Sequence, residues 1–194
     1  MLRNLPPDRT ATPEGVAATF IYGPDGFVER ALADARGTGL IAPDAIRLTE
    51  LGVAAVERVQ TVSTAIVMEM WPDVRASDIE SIAALTTKAL NAAAANSGEA
   101  FRVMWPLYSP EGTPTAARLA ESLTALRFHR FDAHVAAWRA AGLTAAEIQV
   151  LEPGDTRDAI EADTNERAAV PYTALNGEER QTLIDGLAGL PAPT

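Results

Sequence analysis

The sequence predicts a mainly α-helical fold with one small β-hairpin near the N-terminus, followed by a helical bundle. Three features of the 194-residue chain predict it. Apolar residues recur every three or four residues over most of the length, which places them on one face of a helix. Polar caps followed three residues later by Glu mark several helix starts. Between residues 39 and 49, two short apolar pieces flank Ala-Pro-Asp-Ala, a hairpin-like pattern.

The N-terminal part divides into a flexible arm, residues 1–11, and a small domain, residues 12–75. Thr12 followed by Pro13 is typical of a helix start, and a second helix is expected over residues 27–36. After the hairpin, the pattern predicts a long helix over residues 49–70. One face of that helix carries an apolar stripe made of Val56, Val59, Val62, Ile66 and Met70.

The second domain, residues 76–194, is predicted to be helical. Ser77 with Glu80, and Thr144 with Glu147, form capping boxes that open two of its helices. The longest helix of this domain is expected over residues 113–141, where Gly142 provides a C-terminal stop. Two further helices are expected over residues 156–169 and after residue 176.

Composition and charge restrict the classes of function. The net charge of −10 and sequence pI near 4.6 disfavour nucleic-acid binding by the overall field and leave it to a local basic patch. The chain has no cysteine, which excludes thiolate catalysis and thiolate metal sites and is typical of a cytoplasmic protein. The first twelve residues do not resemble a signal peptide, and no 18-residue apolar stretch was identified, so no membrane association is expected.

The order of elements over residues 12–70 is helix, turn, helix, two-stranded wing and long helix, which predicts a winged-helix-like domain. In such a domain the second helix enters the major groove of DNA, and the wing touches the backbone. Candidate DNA contacts are therefore Arg30 and Arg36 on the second helix and Arg47 on the wing. Many carboxylates lie nearby, so the alternative is a winged-helix shape used only for packing or dimerisation.

Both histidines of the chain lie in one stretch, residues 127–138. Residues five apart on a helix are separated by about 140°, so His129 and His134 are not expected to chelate a metal together, and no metal site is predicted. Helical spacing instead pairs His129 with Asp132, three residues apart, and Arg130 with His134, four residues apart. The predicted ligand pocket comprises His129, Arg130, Asp132, His134, Trp138, Trp105 and Tyr108. The alternative is that these residues are structural.

Two segments carry a resemblance to known families. Residues 47–52, Arg-Leu-Thr-Glu-Leu-Gly, are similar to the end of the wing in MarR-like regulators. Residues 128–137, Phe-His-Arg-Phe-Asp-Ala-His-Val-Ala-Ala, resemble the "EHRGDGHVAAL" segment of the SalK-type helix-turn-helix family of actinobacteria. That resemblance implies a MarR-like winged helix. The chain departs from the family in having Phe131 and Ala133 in place of two glycines. It also has its wing-like segment before this motif rather than after it.

Three functional hypotheses follow. The first is a MarR-like regulator or small-molecule-sensing protein, with the pocket beside the histidine stretch. The second is a helical enzyme or accessory protein of small-molecule metabolism, with His129 and Asp132 handling a proton. The third is a structural dimer without DNA binding. In each case a homodimer is expected, because a long apolar helix requires a partner surface. The sequence names no cofactor.

Overall fold

A computed structural model describes Pro7 and residues 9–191. Most of the predicted flexible arm, residues 1–6 and 8, lies outside the described residues, and so do residues 192–194. The helices, in chain order, are α1 Pro13–Ala18, α2 Phe27–Gly37, α3 Glu50–Met70, α4 Ala76–Ala93, α5 Glu99–Met104, α6 Thr115–Ala140, α7 Ala145–Gln149, α8 Asp155–Ala169, a 3-10 helix Val170–Ala174, and α9 Gly177–Ala188. The prediction of a mainly helical fold is confirmed.

The predicted β-hairpin is wrong, because the described residues contain no strand. Two isolated antiparallel bridges stand in its place, Ala11 with Ile46 and Ile41 with Leu48. The Ala42 amide donates to the Arg47 carbonyl and the Thr49 amide donates to the Leu40 carbonyl, but this pairing does not continue into a ladder. The segment begins just after α2 ends at Gly37, and Thr49 already caps α3 by accepting a hydrogen bond from the Gly52 amide at 3.1 Å. Residues 38–49 are therefore a loop, and the N-terminal part is all-helical.

A small core holds α1, α2 and the first half of α3 together. Its buried residues come from all three helices and from the loop between α2 and α3: Val16, Leu32, Ala35, Ile41, Ile46, Leu48 and Val56. Gly52 allows α3 to approach the loop, since a Cβ there would collide with the backbone of Leu40. The loop is thus packed from inside, although it forms no sheet.

The C-terminal body is built around α6, which packs against α4, α5 and α8. Trp71, Ile82, Leu119 and Leu183 belong to its largest core, which joins α4, α6 and α9. A second core under α5 contains Phe101 and Leu126. The body therefore surrounds α6, the helix that carries both histidines, with other helices on most sides.

α3 is exposed for most of its length, in contrast to α6. It contains an 18-residue window with a mean hydropathy of 1.2, of which 17% is buried. By length and composition the helix passes the test for a membrane span, contrary to the expectation that no stretch of the chain would do so. A single helix of this kind is weak evidence for a membrane span, because the core helix of a soluble protein meets the same criteria of length and hydropathy.

Candidate functional site

α2 presents one face to solvent, as a DNA-contacting helix would require. Leu32 and Ala35 bury the opposite face in the N-terminal core. The exposed side carries two carboxylates as well as arginines, since Glu29 and Asp34 are both exposed. The helix surface is therefore of mixed charge rather than basic.

The three candidate DNA-contacting arginines differ in their surroundings. The Arg30 guanidinium donates to the carbonyl oxygen of Asp25 at 3.1 Å, so it is partly engaged at the start of its own helix. Arg36, at the end of α2, and Arg47, in the loop, are exposed and form no ion pair among the described residues. The structure leaves these two arginines available to a partner on the N-terminal part.

His129 and Asp132 both line one cavity. The cavity measures about 370 Å³ and lies where the end of α4, the middle of α6 and the end of α8 meet. Its lining also includes Ser97 and Arg167, which the sequence did not single out. Arg167 is 38 residues further along the chain than His129, and Ser97 is 32 residues before it, so no local pattern signals either.

Neither ring nitrogen of His129 has a hydrogen-bond partner of good geometry, and both are shielded from solvent. The residue is 6% exposed, and its ring packs edge-on against Phe101 with centroids 5.9 Å apart. Burial lowers the pKa of His129, and the backbone carbonyl of Arg167 only partly offsets that effect. The side chain is therefore a neutral imidazole at pH 7. The Ser97 hydroxyl is likewise buried without a partner.

Asp132 connects α6 to the start of α5. Its carboxylate accepts hydrogen bonds from the Phe101 amide at 2.8 Å and the Ala100 amide at 3.2 Å. Burial raises the pKa of Asp132, and these two backbone hydrogen bonds oppose the rise. Gly98 makes the contact possible, because a Cβ there would lie 2.6 Å from the Asp132 carboxyl carbon. Asp132 and His129 share the cavity, but no hydrogen bond joins them.

Arg130 and His134 face α8 rather than this cavity. Arg130 donates to Glu161 and to Asn165, both at 3.1 Å. His134 Nδ1 lies 3.1 Å from the Thr164 hydroxyl, and burial lowers the pKa of His134 as its largest effect. The expected Arg130–His134 pair is replaced by separate contacts to α8, which fasten it onto α6.

The three remaining pocket candidates lie elsewhere. The Trp138 indole N–H donates to the Tyr22 hydroxyl at 2.9 Å, which anchors the turn after α1 to α6. Tyr108 is tied to α3, since its carbonyl accepts from the Gln60 amide group at 2.8 Å. Trp105 lines a separate groove between α4 and α6. Of the seven pocket candidates, His129 and Asp132 line the first cavity, whereas His129 and Arg130 line another one between α6 and α8.

α5 links the cavity to the N-terminal part. Asp132 caps its first turn, and the Arg9 guanidinium donates to the Trp105 carbonyl just beyond its end at 2.9 Å. α1 packs against α5 so closely that a Cβ on Gly15 would come within 2.8 Å of a Val103 methyl. A groove of about 660 Å³ between α1, α5 and α6 shares Ser97, Gly98 and Asp132 with the first cavity. α5 therefore contacts α1 of the N-terminal part and, through Asp132, the cavity beside His129.

These features describe a helical protein in which a small N-terminal module presents one free helix and is joined to a larger helical body. Comparison with protein families gives this class a name. Residues 10–156 of the 194 match the sequence model of a helix-turn-helix family, and the chain belongs to that family. Comparison with curated proteins and with solved structures finds no match.

Proposed function

We propose that this helix-turn-helix protein is a DNA-binding regulator of the MarR-like kind that responds to a small molecule. α2 is the helix that faces DNA, with a loop in place of a wing, and the cavity beside His129 receives the ligand. Membership of the helix-turn-helix family supports the regulator class. The observation that carries the assignment of α2 is its solvent-exposed outer face beside the loop with Arg47.

The charges near α2 determine what kind of DNA binding to expect. Arg36 and Arg47 are the unengaged cations, and Glu29 and Asp34 oppose them on the same surface. Affinity should fall with salt in proportion to the phosphates contacted, with a slope of about −0.9 per contact. A slope of roughly −2 to −3 per protomer is therefore expected, which is weaker than for a strongly basic reader.

The DNA-binding part is tested in two steps. Duplexes that bind the wild-type protein are selected from a random pool of about 20 base pairs, and the binding of the selected, fluorescein-labelled duplexes is then measured by fluorescence anisotropy. The double variant Arg36→Ala/Arg47→Ala should weaken binding at least tenfold and flatten the salt dependence. Arg180→Ala is the matched control, because Arg180 is an exposed arginine on α9, outside the module. Equal loss in the control and the double variant, or no enrichment by the wild-type protein, contradicts the DNA-binding part.

The ligand-sensing part depends on the cavity beside His129. Buried polar groups are normally hydrogen-bonded, and leaving one unpaired costs about 1–3 kcal/mol. Ser97 and His129 both line the cavity, and the polar atoms of both side chains lack hydrogen-bond partners of good geometry. A small molecule carrying donor and acceptor groups satisfies them after a modest side-chain rotation, with the Arg167 side chain at the rim.

α5 supplies the connection between ligand and DNA. A ligand that contacts Asp132 changes the cap of α5, and α5 packs directly on α1 of the module. The two sites are then coupled through one element that both contact, which is the requirement for allostery. The DNA-facing helix need not touch the ligand.

A small-molecule fragment library screened by thermal shift tests this part. Ala136 is exposed and lines the cavity, so Ala136→Leu narrows it. Ala140→Leu adds the same volume one turn further along α6, outside the cavity lining. Hits should be lost with Ala136→Leu and kept with Ala140→Leu. Hits that survive both substitutions contradict this location.

The enzyme hypothesis gains no comparable support. It requires Asp132 to orient His129, but the Asp132 carboxylate is bonded to the backbone of α5. The same residues fit a ligand site better than a proton-transfer site.

A further inference from the structure

Large apolar side chains are exposed mainly on α3. The described residues contain nine large hydrophobic side chains that are well exposed, and five of them belong to this one helix: Leu51, Val59, Val62, Ile66 and Met68. Scattered exposed apolar residues are ordinary, whereas a contiguous patch marks a contact surface. The concentration on one helix therefore calls for a partner.

Most of these residues form a single stripe along the helix. Leu51, Ala55, Val59, Val62 and Ile66 follow one another at spacings of four, four, three and four, which keeps them on one side. We call these five residues the α3 stripe. Val62 is 60% exposed and Ile66 52% exposed. Gly52, Val56 and Gln60, which are the buried residues of α3, lie on another side.

We propose that a second copy of this chain covers the α3 stripe, in an antiparallel pair of α3 helices related by a two-fold axis near Val59. A two-fold interface pairs one patch with itself, so the patch must be self-complementary. Antiparallel pairing places Leu51 opposite Ile66, and the small Ala55 opposite the larger Val62. Small side chains facing large ones allow two helices to interdigitate.

Charge also favours the antiparallel orientation. Glu69 continues the line of the stripe at the C-terminal end of α3, and it forms no ion pair among the described residues. Antiparallel pairing brings it toward the positive, N-terminal end of the helix dipole of the other copy's α3. A parallel pair would place Glu69 opposite Glu69, which is repulsive.

The dimensions of the stripe set the strength of the dimer. A 21-residue helix is about 31 Å long and about 10 Å wide. Pairing along one such face gives an interface smaller than that of a standard specific complex, in the size class of weak and transient contacts. The dimer should therefore dissociate on dilution into the low micromolar range.

Size-exclusion chromatography with light scattering, at loading concentrations from about 5 to about 300 µM, tests whether the α3 stripe is a dimer interface. The 20.5 kDa chain should approach twice that mass at the upper end. Val62→Glu should remain monomeric throughout. Val150→Glu is the matched control, because Val150 is 76% exposed and lies outside α3, and it should dimerise normally. Circular dichroism melts check that both variants fold.

The absence of native cysteine makes the orientation testable by cross-linking. Leu51 and Ile66 are 15 residues apart, about 22 Å along the helix. Leu51→Cys mixed with Ile66→Cys should give an oxidised heterodimer, while neither variant alone should cross-link to itself. Self-linking of both single variants would instead show a parallel pair.

Three outcomes overturn the proposal. They are a wild-type protein that stays monomeric at the highest concentration, a Val62→Glu variant that still dimerises, and self-linking as just described. A monomer that sediments with neutral phosphatidylcholine vesicles, and loses this property in Val62→Glu, would assign the stripe to a membrane instead.

Discussion

The two longest helices, α3 and α6, have opposite compositions and opposite environments. α3 is rich in Val, Ile and Met, yet only three of its 21 residues are buried. α6 contains charged and polar residues throughout, yet twelve of its 26 residues are buried, including Glu121, Ser122 and His129. The comparison teaches that neighbouring helices, rather than the hydropathy of the helix itself, decide what is buried in this protein.

The two functional proposals concern these two helices separately. α6 is surrounded by α4, α5 and α8, so its polar residues become shielded groups beside a cavity. α3 has few neighbours along its second half, so its apolar residues become a surface for another molecule. The buried helix offers a ligand site and the exposed helix offers an interface.

Truncating one leucine on each helix should give the largest contrast. Leu119 on α6 is completely buried, whereas Leu51 on α3 is 57% exposed. Leu119→Ala should lower the free energy of unfolding by about 2–5 kcal/mol, and Leu51→Ala by less than about 0.5 kcal/mol. Urea denaturation at 1 µM protein, where the proposed dimer is dissociated, measures both. Similar losses for the two variants would remove the contrast.

Asp132 tests how far α6 controls α5. Asp132→Ala deletes the acceptor for the amides of Ala100 and Phe101 and should cost about 1–2 kcal/mol, as loss of a helix cap does. Hydrogen exchange should increase at these two amides before it increases elsewhere in the body. Unchanged exchange over residues 99–104 would show that α5 is held without the carboxylate.

The burial of both histidines predicts a pH dependence. Their pKa values are lowered from the ordinary 6.5, so the unfolded chain binds protons near that pH and the folded chain binds them only at lower pH. The free energy of unfolding should therefore fall as pH decreases below about 6.5. Asp132 has the opposite effect on the free energy of unfolding. Its pKa is raised from 3.8, so the folded state is stabilised when the carboxyl group becomes protonated at lower pH.

His129→Gln isolates the histidine contribution. The free energy of unfolding is measured for the variant and the wild type from about pH 7.5 to about pH 5.5, the range in which the histidines titrate. The contribution of Asp132 is common to both proteins, so the difference between their slopes belongs to His129. The variant should show a shallower slope than the wild type, whatever its stability at pH 7.5. An identical slope in the two proteins would mean that burial does not lower the pKa of His129.

The smallest effect is expected at the exposed contact between α6 and α8. Arg130 and Glu161 are 3.1 Å apart, with side chains 50% and 42% exposed. An exposed ion pair contributes about 0.2–1 kcal/mol, so Arg130→Ala should change the unfolding midpoint only slightly. A loss above about 2 kcal/mol would show that this edge of α6 is more tightly constrained than its exposure indicates.

Local sequence patterns predicted most of the helices. Thr12, Thr49, Thr144 and Asn176 each accept an N-terminal amide hydrogen bond as their helix begins, and Thr144 and Asn176 complete capping boxes. These signals involve residues within one turn of each other, so they can be recognised in the chain alone. The capping box predicted for Ser77 and Glu80 is wrong, because α4 begins at Ala76 with Arg75 as its N-cap and has no side-chain cap hydrogen bond. The hairpin failed because the backbone pairing within residues 39–49 stops at an isolated bridge, and α3 already begins at Glu50.

The site depends on contacts between distant segments. Ser97 and Arg167 join His129 only because α4 and α8 pack on α6, and nothing in the order of residues indicates that packing. The expected pairing of Asp132 with His129 follows from helical spacing, but α5 offers two unpaired amides that hold the carboxylate more strongly.

The sequence by itself determined the helices, their caps, the clustering of both histidines and the membership of a helix-turn-helix family, because each of these depends on residues close together in the chain. Tertiary structure alone decided which faces are buried. It gave His129 a shielded cavity and left Val62 and Ile66 in solvent, since burial depends on which helices pack together, and long-range packing is not encoded in local periodicity.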